Sequence, residues 1–234
     1  MNSAITNLRK KLVQVAVDAP LEGLFDYFWE FEQEPELGQI VHIEFGKKQT
    51  VGVVVSTPQQ PVIDIEKIKS IVSIAPLPAL PRDLIALAKF SSSYYGRPMG
   101  EMLTHSIPKA WRNPSRWALL TKNKKEKEKK NNDVVLPPRL NEQQNAAVKA
   151  LIQSSQSGKY QTYLLQGVTG SGKTVTYLSW LKELLIEPKS QVLMMVPEIN
   201  LTPQLESIVR AGLPGLHVVT LHSGLSDRVR ADHW

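Results

Sequence analysis

Gly167-Val168-Thr169-Gly170-Ser171-Gly172-Lys173-Thr174 is an uninterrupted match to G-x-x-x-x-G-K-[ST], the spacing that wraps backbone N–H groups around phosphate. Three glycines keep side chains out of the turn and away from a ligand. In that frame Lys173 reaches the β- and γ-phosphates of a nucleotide such as ATP, and the Thr174 hydroxyl ligates Mg²⁺. With glycine at about 7% of residues, the four fixed positions coincide by chance in roughly one chain in a hundred of this length. The competing reading is a glycine-rich turn followed by a surface lysine.

Such a loop must leave a strand and open a helix, so that its amides and the helix N-terminus converge on the anion. Residues 162–166 are short, apolar and β-prone. From Val175 onward Tyr177, Leu178, Leu181, Leu184 and Leu185 share one helical face, and Pro188 stops the helix. Upstream, a helix begins near Asn141 and carries Ala146, Ala147, Ala150 and Leu151. Downstream, residues 191–196 read as a second core strand ending at Pro197-Glu198. Thr202-Pro203 supplies an N-cap hydroxyl and a proline at the first helical position. Residues 217–221 read as a third strand running into His222-Ser223-Gly224. Strands alternating with helices imply a parallel α/β sheet whose working rim lies past the strand ends, where Lys173, Glu198 and Ser223 all fall.

The first half of the chain has a different texture. Residues 12–17 and 40–45 alternate apolar with polar side chains, and 50–55 is a valine run around Gly52, with Gly38 and Gly46-Lys47-Lys48 as turns. Residues 63–74 space Ile and Val with charges, as a strand or a short helix would. Residues 82–95 are helical after Pro81, with Leu84, Leu87, Ala88 and Tyr95 able to share a face. The expected organisation is an extension over 1–12, a small β-rich domain over 13–112, a lysine-rich linker over 113–138, and a partial α/β lobe over 139–234. No internal repeat is visible.

The 234 residues carry a net charge of +6. Residues 122–130 contain six lysines and two glutamates, so this stretch supplies +4 of the total. It reads as a solvated tether that adds salt-dependent affinity for phosphate backbones. The absence of cysteine excludes disulfides and Cys-based zinc sites and suits a reducing compartment, the cytoplasm. No apolar run approaches membrane-spanning length, so no membrane association is expected.

Three segments together carry a specific resemblance. The phosphate loop, Val196-Pro-Glu-Ile-Asn-Leu-Thr-Pro-Gln204 and Leu221-His-Ser-Gly-Leu-Ser-Asp227 resemble motifs I, Ia and Ib of the PriA family of replication-restart DNA helicases. Leu140-Asn141 with Gln144 and Ala147 resembles the upstream helicase element that reads adenine. Toward the N-terminus, Ala19-Pro20-Leu21, Phe25-Asp26-Tyr27, Phe45-Gly46-Lys47 and Val51-Gly52-Val53-Val54-Val55 are similar to the family's 3′-DNA-end-binding domain. The resemblance implies a multi-domain fold: a small β-rich 3′-end-binding domain followed by a truncated, RecA-like α/β P-loop lobe with a parallel sheet.

It also implies roles. The family's pocket for the terminal nucleotide of a nascent strand maps onto Phe25, Asp26, Tyr27, Gly46 and Lys69. Asp26 would accept the free 3′-hydroxyl, Gly46 would allow close backbone approach, Lys69 would balance a phosphate, and an aromatic would pack on sugar or base. From the residues alone, Phe25-Asp26-Tyr27 is most simply a strand end with two core aromatics. Gly167, Val168, Thr169, Gly170, Ser171, Gly172, Lys173, Thr174 and Gln144 would bind ATP, with Mg²⁺ on Thr174. Pro197, Glu198, His222 and Ser223 would touch single-stranded DNA. Glu198 reads equally as a capping or salt-bridging residue, and His222 as a backbone contact rather than a base, because phosphoryl transfer depends on positioning and charge. The family activity is ATP-driven 3′ to 5′ unwinding at stalled forks, with primosome proteins, single-stranded DNA-binding protein and replicative-helicase loading factors as partners.

Departures from the family pattern shape the expectation. About 25 residues separate Arg112 from Pro138, too few for the winged-helix domain the family carries there. Val175 stands where the family has Glu. The chain contains no Walker B pair after the third strand, no second lobe and none of the family's zinc-binding cysteines. The expectation is therefore a polypeptide that binds DNA ends and nucleotide without a complete catalytic set. Other readings are a non-enzymatic DNA-end adaptor or a different P-loop NTPase.

Overall fold

The structure is a computed structural model that describes residues 10–121, 139–187, 190–198 and 202–234. The chain divides into two units, one reaching to residue 125 and taking in 224–234, the other spanning 126–223.

The first unit is built on β1 (Lys11–Val17), β2 (Phe25–Trp29), β3 (Ile40–Phe45), β4 (Lys48–Ser56), β5 (Lys69–Ser70) and β6 (Ser73–Ile74). They form one sheet in the order β5-β2-β1-β4-β3-β6. Only β5 on β2 is parallel; the other pairings are antiparallel. The two-residue period of β1 sends Val13, Val15 and Val17 into a core with Tyr27, Trp29, Val41 and Ile43. Ala16 faces the opposite core with Ile40, Val51, Val53, Leu103 and Ile107.

One short stretch closes the sheet. The Ile71 N–H donates to the Phe28 carbonyl at 3.0 Å, Val72 to His42 at 2.9 Å and Ala75 to Ile40 at 2.9 Å. Residues 69–75 thus cross from the β2 edge to the β3 edge and curl the sheet, satisfying two edges that would otherwise stay unpaired. This crossing explains why 63–74 is neither one strand nor one helix: a 3₁₀ turn at Ile65–Lys67 precedes two short strands with different partners.

Helices α1 (Arg82–Tyr95) and α2 (Met99–Ser106) follow, and α2 packs closely on β1. A Cβ on Gly100 would stand 1.9 Å from the Val17 carbonyl oxygen, so only glycine permits that approach. Part of the expected linker is folded here. Asn113 accepts from the Ser115 N–H, and α3 (Trp117–Leu120) buries Trp117, whose indole donates to the Trp111 carbonyl at 2.9 Å. The chain returns to this unit at its end. In α7 (Asp227–His233) Ala231 is buried, its carbonyl accepts from the Trp111 indole at 3.2 Å, and Arg228 donates to the Leu119 carbonyl at 2.9 Å. Residues 224–234, assigned by sequence to the α/β lobe, therefore pack with the β-rich domain, because buried indoles offer them a surface that sequence periodicity does not reveal. The expected extension over 1–12 gives up Lys11 and Leu12 to β1; residues 1–9 and the lysine tether lie outside the described residues.

In the second unit lie α4 (Glu142–Ser155), α5 (Lys173–Leu184) and α6 (Thr202–Gly212). Asn141 and Gln144 form a reciprocal capping box at the start of α4. The expected face of α5 is its packed face: Leu178 and Leu181 join Val209 and Leu213, with Tyr177, Leu184 and Leu185 against them. The stop at Pro188 and the side-chain cap at Thr202 lie outside the described residues.

Segments 162–166, 191–196 and 217–221, expected as parallel strands, are not paired into a sheet among the described residues. Their side chains keep a strand-like period in part. Val192 and Met194 pack toward the helical cluster, whereas Leu193 and Met195 are 85% and 87% exposed. Parallel ladders take all their hydrogen bonds from strands distant in sequence, so side-chain pattern alone does not assemble one. Among the described residues no helix is long and apolar enough to cross a membrane.

Candidate nucleic-acid interface

The sheet register sets three polar side chains in a row across β4, β1 and β2, pairing Ser56 with Gln14 and Gln14 with Asp26. The Ser56 hydroxyl donates to Gln14 Oε1 at 2.6 Å, and Gln14 Nε2 donates to Asp26 Oδ1 at 3.2 Å. From the loop before β5, the Val62 N–H donates to Asp26 Oδ2 at 2.5 Å. Asp26 is thus held in one orientation and is only 7% exposed. A carboxylate offers about four acceptor positions, so two fixed bonds leave room for an incoming hydroxyl.

Parallel pairing of β2 with β5 sets Tyr27 opposite Lys69. Closure of the sheet then brings this edge to β3. The Lys69 ammonium donates to the Glu44 carboxylate at 2.5 Å and to the Gly46 carbonyl at 2.8 Å. The Tyr27 hydroxyl donates to the Glu44 carbonyl at 3.0 Å, and the Phe25 and Phe45 rings meet edge to face at 4.7 Å. Burial, with a smaller contribution from the Glu44 charge, pushes the Tyr27 phenol up to about 12, so it remains a neutral donor.

Gly46 opens the two-residue turn between β3 and β4 with φ +60°. A Cβ there would meet nothing within 4 Å. The left-handed backbone, not crowding by the protein, calls for glycine, and the space above it is open.

Phe25, Asp26, Tyr27, Gly46 and Lys69 line a single cavity of about 190 Å³, together with Leu24, Glu44, Val62, Ile63 and Lys67. The first five come from the sequence reading; the others escaped it. Glu44 lies one position before the quoted Phe45-Gly46-Lys47, and Lys67 two before Lys69, which is the available signal for both. Val62 and Ile63 follow a proline-rich stretch without periodicity and give none.

The glycine-rich loop over 167–174, expected to hold phosphate, lies in the second unit. Gly170 and Gly172 adopt φ of +78° and +83°, and α5 begins at Lys173. The Lys173 ammonium donates back to the Gly167 and Val168 carbonyls at 2.6 and 2.9 Å, so its charge sits inside the bowl that the loop makes. Gln144 Nε2 donates to the Ser171 carbonyl at 2.9 Å, and a Cβ on Gly172 would fall 2.5 Å from that nitrogen. Val168, Thr169 and Ser171 are exposed, and Thr174 is half-buried in the first turn of α5. This donor set, with an ammonium and a hydroxyl at the mouth of a helix and two left-handed glycines, fits a Mg²⁺–nucleotide phosphate. Pro197, Glu198 and Ser223 are exposed and His222 half-buried. They follow the unpaired segments, so the common rim expected for Lys173, Glu198 and Ser223 is not built by strand pairing among the described residues.

Comparison with known proteins bears on both units. Residues 14–108 match the PriA family model described as the 3′DNA-binding domain (3′BD), and residues 138–226 match the model for the res subunit of type III restriction enzymes. The replication restart protein PriA of Haemophilus influenzae is 27% identical over an alignment taking in 96% of this chain and 40% of that protein. That of Rickettsia conorii is 34% identical, over 85% of this chain and 28% of the relative. That of Chlamydia trachomatis is 43% identical over 42% of this chain and 13% of the relative. The chain thus spans well under half the length of these relatives. The match over the cavity-bearing sheet, joined to a helicase-type match over the phosphate loop and to relatives of one kind, leads to one conclusion: the chain belongs to the PriA family.

Proposed function

We propose that the first unit binds the 3′-terminal nucleotide of a DNA strand in the cavity where β5 meets β3, and that the second is the ATP-binding part of a RecA-like helicase lobe. The observation that carries this reading is convergence: Phe25, Asp26, Tyr27, Gly46 and Lys69 come from three separate stretches of chain and line one cavity. Its 190 Å³ is below the roughly 300 Å³ at which pockets for drug-sized ligands begin, a size that suits one nucleotide end and not a length of duplex. Asp26 accepts the 3′-hydroxyl, Phe25 or Tyr27 packs on sugar or base, and Lys69 faces the adjoining phosphate.

In the second unit the loop amides and Lys173 hold the nucleotide phosphates, Thr174 takes Mg²⁺, and Gln144 ties the adenine-reading element to the loop through Ser171. ATP supplies the transferable phosphoryl group; these residues bind and orient it. Pro197, Glu198, His222 and Ser223 contact the DNA backbone. Within the whole family protein this serves 3′ to 5′ unwinding at stalled forks, in the cytoplasm, alongside primosome proteins, single-stranded DNA-binding protein and loading factors. A second reading, an adaptor that binds ends without hydrolysis, is favoured by the cavity being lined entirely by residues of the first unit. Steady DNA-stimulated ATP hydrolysis by the chain would exclude it.

The test is equilibrium binding to a linear single strand with a free 3′-hydroxyl and to a circular strand of the same length and sequence, at fixed salt. Tighter binding of the linear strand is expected; equal affinity would refute end recognition. For the loop, Lys173→Ala should weaken ATP binding at least about tenfold while leaving linear-strand binding in the absence of nucleotide unchanged. Undiminished ATP affinity in that variant would remove the loop from the account.

A further inference from the structure

We propose that Glu44 is a specificity residue of the end pocket, one that sets its preference for a 3′-hydroxyl over a 3′-phosphate. This inference rests on the end-binding reading above. Two cations and two carboxylates line the cavity: Lys67 and Lys69, Asp26 and Glu44. Each cation already has a carboxylate partner, and Lys69 also faces the adjoining phosphate in the reading above, so neither is free to balance a second, terminal phosphate. Lys67 is paired with Asp64 at 2.7 Å, and Lys69 is paired with Glu44 at 2.5 Å while also donating to the Gly46 carbonyl.

A terminal phosphate carries about −1.5 to −2 charges near neutral pH, whereas a hydroxyl is neutral. To enter, the phosphate must approach the buried Asp26 and compete with Glu44 for Lys69. A hydroxyl needs only an acceptor, which the oriented Asp26 provides, and it leaves the Glu44–Lys69 pair intact. Asp26 serves both sides of the discrimination, because its charge also makes the hydroxyl contact. Glu44 serves only the rejection, so its charge can be removed separately.

The pair is half exposed, which limits its strength. Glu44→Gln keeps the shape, frees Lys69 for an anion and removes one negative charge from the wall. The experiment measures affinity of the chain and of this variant for one labelled single strand ending in a 3′-hydroxyl or a 3′-phosphate, with the circular strand as a control. The hydroxyl preference should fall by roughly threefold to fivefold in Glu44→Gln, with circular-strand binding unchanged. In Lys69→Gln, which leaves Glu44 uncompensated, the ratio should move the other way even as both affinities drop. An unchanged ratio in both variants, in a chain that does prefer linear strands, overturns the role of Glu44 alone. A parent chain that binds linear and circular strands equally overturns the end-binding reading itself. Should Glu44→Gln fail to fold, the ratio in Lys69→Gln decides: an increase supports the proposal and no change overturns it.

Discussion

Tyr27 shows how one buried side chain serves both fold and site. Its ring is in the inner core, while its hydroxyl crosses the closure to the Glu44 carbonyl. A phenol whose folded value, about 12, lies above the ordinary value of 10 favours the folded state while it is neutral. That contribution is full below about pH 10 and is lost as pH climbs from there to about 12. Denaturant titrations across this window should show stability falling in the parent chain and falling less in Tyr27→Phe. A parallel decline in both would show that another group controls the alkaline limb. At neutral pH the same substitution should cost about 1 kcal/mol for the lost hydrogen bond. Five of the pocket's ten lining residues were reached through the family resemblance, whereas their orientation was not legible in the sequence. Asp26 is aimed by Gln14 across the sheet and by the Val62 amide 36 residues away, and neither partner leaves a local trace.

At the scale of elements, local signals were the readable ones. The helix over Arg82–Tyr95 and the helix start near Asn141 depend on neighbours a few residues off, and both are where the sequence places them. The expected shared face of α1 is only half right, because Leu84 and Ala88 turn inward while Leu87 and Tyr95 are exposed. Closure of the sheet by 69–75 was not legible, since two-residue strands are defined by what they pair with. The same limit applies to segments 162–166, 191–196 and 217–221, whose β character lies in composition and alternation while a ladder needs partners from elsewhere. Close packing of α2 on β1 depends on Gly100. Gly100→Ala would drive a methyl against the Val17 carbonyl, and either α2 or β1 must shift. The expected cost is about 1–3 kcal/mol, read as a lowered thermal midpoint. A variant as stable as the parent would mean that the helix can lift off the strand freely.

Over the whole molecule, residues 224–234 belong to the first unit although they follow the second in sequence. The sequence concealed this because α7 follows directly on the Leu221-His222-Ser223-Gly224 segment and reads as part of the lobe. Charge has a similar division. Most of the net positive charge is in the lysine run, where it would add salt-dependent attraction to any nucleic acid, whereas the pocket walls balance cation against carboxylate. On the proposed reading generic affinity and end selectivity have separate origins, and only the second tests the central claim. The most direct measurement compares binding of one single strand ending in a 3′-hydroxyl with the same strand ending in a 2′,3′-dideoxynucleotide, which removes the hydroxyl and adds no charge. Acceptance of that hydroxyl by the nearly buried Asp26 predicts about tenfold weaker binding of the dideoxy end, at an unchanged salt dependence. Equal affinity for the two ends would contradict the account, leaving the cavity without a role in recognising the terminus.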